Sequence, residues 1–207
     1  MNAGSGVPVP YIATWSSEKR HHESLVVHPV TGRLAYRDER PGDRDEHGVL
    51  WVRADCRPKR GRPQFGLVHP RRQRHAMRDL RCQVCDGPAD VDGLGSLWLL
   101  RDERGVRADW PAWPEGMAAT DPPLCLPCAR VSVRLCPHLR GRYVAVRVRD
   151  AQVAGVYGGL YFPKSGGGRP RVAADVTVPY DDPNIHRILA AQQVMELRGC
   201  TFIDLPD

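Results

Sequence analysis

Two Cys-x-x-Cys pairs, Cys82-Gln83-Val84-Cys85 and Cys125-Leu126-Pro127-Cys128, constrain this chain more than any other feature. Each sets two thiols one short turn apart, which is the bite that fills half of a tetrahedral shell. Together they form a four-thiol donor set suited to one structural Zn²⁺. The chain has seven cysteines, an odd number. With four of them in metal-type spacing, this fits a reducing compartment better than a disulfide framework. Cys56, Cys136 and Cys200 then read as free thiols.

Local sequence around each pair supports the metal reading. Cys82 to Gly87 has the form of a knuckle, in which a tight turn aims backbone N–H groups at sulfur and the glycine relieves the bend. Residues 93–100 read as a strand, and 101–105 as the turn after it. Trp110 and Trp113, among prolines, suggest an irregular cover. After the second pair two readings stay open. Alternation of Val131, Val133 and Leu135 with arginine and serine suits a strand, as in a zinc ribbon. Pro127 one turn before Val131 suits a helix carrying Cys128 in its first turn, and this reading is preferred. With the helix, residues 82–136 resemble a treble clef. The stretch between the pairs, 86–124, exceeds the roughly fifteen to twenty residues of compact ribbons, so it implies an enlarged hairpin. Cys136 and His138 invite a second site. Eight residues beyond Cys128 on a helix, however, Cys136 lies about 12 Å along the axis and cannot share the same ion.

The rest of the chain reads as short strands and turns. Residues 11–15, 25–28, 34–36 and 49–53 are apolar or β-branched runs between turn formers, as in a small antiparallel sheet. Residues 143–149, 153–162 and 172–178 read as a three-stranded meander. Asp182, Pro183 and Gly199 punctuate a C-terminal helix. The expected fold is α+β: small antiparallel sheets around a central treble-clef-like four-cysteine zinc module, with a C-terminal helix. Its parts would be a β-rich segment with a basic loop (1–69), a basic helix plus the zinc module (70–140), and a meander plus helix (141–207), possible also as one continuous domain. No basic stretch followed by an apolar run opens the chain, and no run nears the eighteen or so apolar residues of a membrane helix. The expectation is a cytoplasmic protein.

The net charge of +6 is uneven, because residues 53–81 hold ten Lys or Arg and two acids. Arginine far outnumbers lysine, which a high-GC bacterial genome explains as readily as selection, so clustering carries more weight than abundance. Residues 56–69 read as an extended basic loop, and Pro70 opens a helix over 71–81. On a helical wheel Arg71, Arg74, Arg78 and Arg81 share one face, with Gln73, Ala76, Met77 and Leu80 opposite. One side can then pack while the other meets phosphate. The carboxylates Asp43, Asp45 and Glu46, interleaved with arginines, read as a solvated loop rather than a Mg²⁺ site.

Enzyme readings are disfavoured by missing residues and stay as minor alternatives. An HNH-type nuclease on a treble clef needs a histidine inside the zinc hairpin or helix, yet none lies between His75 and His138. A zinc deaminase would use His21-His22-Glu23 with Cys125 and Cys128, but Leu124 replaces the required proline, and Cys82 and Cys85 would be idle. Residues 158–165 spell G-x-x-x-x-P-K-S, yet proline removes the backbone donor a phosphate loop needs, so this segment reads as a hairpin tip. The remaining expectation is a non-enzymatic nucleic-acid-binding protein with Lys59, Arg60, Arg62, Arg71, Arg74 and Arg78 on phosphates. The alternative is an adaptor whose arginines meet an acidic protein partner.

Overall fold

The computed structural model describes residues 8–22, 24–163 and 170–205. Glu23 and most of the glycine-rich tip after Pro163 lie outside them. In chain order the elements are β1 (Ala13–Trp15), β2 (Arg20–His21), β3 (Leu25–Val27), β4 (Leu34–Tyr36), β5 (Leu50–Trp51), β6 (Arg53–Ala54) and β7 (Pro63–Val68). They continue with α1 (Pro70–Arg78), β8 (Val91–Asp92), β9 (Gly95–Arg101), β10 (Met117–Ala119), α2 (Leu126–Leu135), β11 (Tyr143–Phe162), β12 (Arg171–Pro179) and β13 (Ile188–Ile203). The fold is mixed α+β and mostly strand. No helix among the described residues is long and apolar enough to cross a membrane.

The chain forms two compact units, each drawn from separate stretches: residues 75–152 and 195–207 with the N-terminal segment up to Ala13, and residues 14–74 with 153–194. In the first unit β9 pairs antiparallel with the start of β11, placing Trp98 opposite Val146. β10 pairs with the middle of β13. The buried side chains Met77, Trp98, Leu100, Trp113, Val146, Val148 and Leu197 make one core, and Cys82, Leu97, Leu124, Ala129 and Ala145 make another around the cysteines. Gly95 has φ +119°, and a Cβ there would meet the Val148 carbonyl at 2.1 Å, so only glycine lets β9 leave its hairpin at this point. Buried Arg147 reaches Asp90 at 2.6 Å and Asp92 at 3.0 Å, tying that hairpin down.

In the second unit β12 pairs antiparallel with the end of β11, and β5 lies parallel to the start of β13. β3 and β4 form a hairpin, and β2 pairs with β6. The N-terminal strands are therefore near their expected positions but do not make one sheet of their own. Val49, Trp51, Val156, Val178, Ile188 and Ala190 form one core, and Leu25, Leu34, Tyr36, Leu50 and Leu189 another.

Three expectations are corrected. The C-terminal helix does not form: a 3-10 turn at Ile185–Arg187 leads into β13. β13 lies between β10 and β11 in its sheet, and Ile188, Leu189, Ala190, Val194, Met195 and Leu197 are all buried. A strand covered on both faces needs no alternation, so its apolar run imitates a buried helix. The meander is two strands, because β11 continues through Asp150 to Gln152 without a turn. Helix α1 stops at Arg78 because Leu80 adopts φ 46°, and the Arg81 N–H returns to the Ala76 carbonyl at 2.8 Å. This is a Schellman-type end, normally glycine's position, here occupied by leucine.

Candidate metal centre and cationic surface

The knuckle and helix α2 bring the four predicted cysteines together. Asp86 takes φ 62°, its N–H returns to the Cys82 carbonyl at 3.0 Å, and the Cys82 N–H reaches the Gly87 carbonyl at 2.7 Å. This tight turn holds Cys82 and Cys85 on one side. Cys125 precedes α2 as its N-cap and Cys128 lies in its first turn, with Pro127 where an N–H has no helical partner. The helix reading of this segment is borne out, and the strand reading is not.

Backbone pairing closes the long loop between the two halves. The Gln83 N–H donates to the Pro123 carbonyl, the Asp90 N–H to Leu124, and the Leu124 N–H to Leu97 in β9, at 3.1, 2.9 and 2.9 Å. Tyr11 and Ile12 donate their N–H groups to Val84 and Gln83, bracing the knuckle from the other side. The four Sγ atoms of Cys82, Cys85, Cys125 and Cys128 all lie within 4.8 Å of one another, with Cys85 and Cys125 3.7 Å apart. Sulfurs bound tetrahedrally at about 2.3 Å from a metal stand about 3.8 Å apart, whereas a disulfide needs about 2.05 Å. All seven cysteines are free. The cluster fits one metal ion.

Burial pushes the Cys125 and Cys128 thiols up. Burial also opposes ionisation of Cys85, but the Gly87 N–H, 3.4 Å from its sulfur, and the neighbouring thiols outweigh it and hold Cys85 below the usual thiol range. A cation at the centre would favour thiolate at every position. Cys136 caps the far end of α2 and lies outside the cluster, as the helix length requires.

A second group of possible ligands, Glu18, Cys56 and His69, lies in the other unit. It is closed by its own hydrogen bonds. Glu18 Oε1 accepts from Arg72 Nη1 at 2.7 Å and from the Arg57 N–H at 2.9 Å. Glu18 Oε2 accepts from Arg72 Nη2 and the Trp15 N–H, both at 2.8 Å. Burial works to raise the carboxyl, and these four donors overcome it, holding it at about 2. His69 Nε2 faces the Asp55 carbonyl at 3.0 Å and must donate, which leaves Nδ1 to accept the Arg72 N–H at 3.4 Å. Burial pushes His69 below its ordinary value, so it is neutral and both nitrogens are used. With the acceptor sites of Glu18 and His69 already taken, only the exposed Cys56 sulfur remains, and the group reads as a structural knot rather than a metal site.

The carboxylates of the 38–46 turn are likewise engaged. Asp43 forms a two-pronged pair with Arg53, its Oδ2 2.6 Å from Nη2, and Asp38 takes a further prong at 3.0 Å. Asp45 accepts the Val49 N–H, the Trp51 indole N–H and the Tyr180 hydroxyl. Glu39 binds Arg44. The turn is exposed over 37–42 and 46–47, as a solvated loop should be, and its carboxylates are held in ion pairs and hydrogen bonds; Asp43, Asp45 and Glu46 do not gather as a ligand set.

The predicted phosphate-contacting residues divide. Lys59, Arg60, Arg62 and Arg71 are exposed and have no carboxylate partner among the described residues. Arg74 is committed, with its guanidinium 4.4 Å over the Trp51 ring and 3.3 Å from Glu46. Arg78 belongs to the first unit, the other five to the second. Arg81 pairs with Asp86 at 2.9 Å. The loop bearing the first three is pinned by backbone: Ser16 N–H donates to the Arg62 carbonyl, Ser17 Oγ to the Arg60 carbonyl, and the Arg62 N–H to Ser16 Oγ. Gly61 takes φ +81°, a left-handed conformation that favours glycine. Sequence reasoning missed this anchoring and the buried Glu18–Arg72 pair, whose partners stand 54 residues apart with no local pattern to join them. No family model matches the chain, and neither a curated protein nor a solved structure matches it.

Proposed function

We propose that this chain is a zinc-stabilised, non-enzymatic nucleic-acid-binding protein, with Lys59, Arg60, Arg62 and Arg71 on phosphates. The metal is Zn²⁺, because four thiolates in tetrahedral spacing suit it and leave no open position for chemistry. The knuckle, the β8–β9 hairpin and helix α2 follow one another as in a treble clef, and in this reading the module is a scaffold.

The observation that carries the binding assignment is the uneven pairing of arginines. Arg40, Arg44, Arg53 and Arg74 each have a carboxylate within 3.3 Å, whereas Lys59, Arg60, Arg62 and Arg71 have none among the described residues. Exposed cations held on a pinned loop and on the first turn of α1 meet phosphate without first breaking an internal pair. They give affinity with little sequence preference, because phosphate contacts carry no base information.

The test is the salt dependence of binding to DNA and RNA. The logarithm of the affinity falls linearly with the logarithm of salt, and Arg62→Glu with Arg71→Glu flattens the slope by about one unit for each phosphate no longer neutralised. A slope unchanged by the double variant refutes the residue assignment. Absence of binding at low salt refutes the nucleic-acid reading and moves these cations to an acidic protein partner.

A further inference from the structure

Strand β7 follows directly on the unpaired basic loop, yet its side chains are not part of any core. The strand is six residues long and pairs with β1, which is three. Pro63, Phe65 and Leu67 fall on one face by strand alternation, and Gln64 and Gly66 on the other. Phe65 is 57% exposed and Leu67 48% exposed. A phenylalanine left this open costs solubility and adds nothing to packing. Scattered exposed apolar residues need no explanation, but this one is three residues from Arg62 on a strand whose preceding loop is a run of free cations.

We infer that β7 and its basic loop form a binding strip for single-stranded nucleic acid, in which a base stacks on the Phe65 ring while Arg60, Arg62 and Lys59 hold the flanking phosphates. This rests on the function proposed above and narrows its ligand. Charge complementarity selects a polyanion, and the exposed ring selects one with accessible planar faces. A duplex keeps its bases stacked on each other, so it meets the cations but not the ring. A single strand meets both. Leu67, next on the same face, extends the apolar surface beneath the neighbouring base. Gly66 between them points to the opposite face, where a Cβ would meet nothing within 4 Å.

The experiment uses the full chain with an oligo(dT) strand and with a duplex of equal length, at fixed low salt. Phe65→Ala weakens oligo(dT) binding about 5- to 150-fold, the range expected for one lost base–aromatic stack. Duplex binding is unchanged, and Phe65→Trp keeps or tightens the single-strand affinity. Because Phe65 lies outside the cores, unfolding is not expected, and unaltered circular dichroism checks this. If both ligands bind in a salt-dependent way but Phe65→Ala alters neither, or alters both equally, the stacking inference is overturned while the phosphate reading stands. If neither ligand binds, both fall.

Discussion

In one unit four thiols from two distant turns meet within 4.8 Å; in the other a carboxylate and a guanidinium from residues 18 and 72 are buried against each other. Both centres gather polar atoms where apolar ones would ordinarily pack, but they differ in what completes them. The Glu18–Arg72 pair is self-sufficient, since each carboxylate oxygen already has donors within the protein. The thiol cluster is not, because four thiolates this close repel one another unless a cation lies among them. One centre is therefore complete with its own side chains, and the other is a four-thiol set that could hold a metal ion. A buried pair is costly to break from one side, whereas a metal centre is costly to empty.

The largest expected effect separates the two most sharply. Removing the metal with a chelator, or changing Cys82→Ser, forfeits a binding energy of about 10–16 kcal/mol in small zinc modules, comparable to the whole stability of a domain. Hydrogen exchange reads this directly: the amides of Gln83, Asp90 and Leu124, which join the two cysteine pairs, lose protection. Retained protection at those amides would mean that the hydrogen bonds alone hold the halves together.

Next in size is the ion pair. Glu18→Gln leaves Arg72 charged and buried without its partner and costs about 3–5 kcal/mol in denaturant unfolding. Its pH dependence has a definite sign. The folded carboxyl sits at about 2 against an ordinary 4.5, so its stabilisation is complete above 4.5 and is lost as pH falls from there towards 2. His69 acts in the same direction from a higher starting point: buried neutral, with its pKa depressed below 6.5, it loses stability as pH falls below that value. Acid unfolding of Glu18→Gln therefore shows a weakened dependence between 4.5 and about 2. An unchanged acid limb would place the sensitivity elsewhere.

The smallest effects sharpen a contrast within the second unit. Arg53 bonds Asp43 and Asp38 and lies 4.0 Å from the Tyr36 ring, so Arg53→Ala costs about 1–2 kcal/mol. Arg60→Ala touches no such partner and changes stability by no more than about 0.5 kcal/mol, while reducing the salt slope of the proposed nucleic-acid binding. Equal stability losses at the two positions would erase the distinction between committed and available arginines.

What could be read from sequence follows the range of the interaction. The cysteine pairs and helix α2 were legible because ligand bite and a first-turn proline are encoded within a few residues. Pro70 signalled α1 for the same reason, but its end did not show, because Leu80 occupies a backbone region that sequence assigns to glycine. β13 was misread because its length and unbroken apolar run match a buried helix; only its neighbours in the sheet decide the matter. The basic segment was visible as charge, but which arginines are already spoken for depends on carboxylates such as Glu46, 28 residues from Arg74. Charge is local information and pairing is not.

The account depends most on four sulfurs sharing one ion, and native mass spectrometry of the purified chain tests that most directly. It predicts one Zn²⁺ per chain, retained on buffer exchange and absent from Cys82→Ser. A folded chain without metal, or one lighter by two hydrogens through a bond between Cys85 and Cys125, would contradict it.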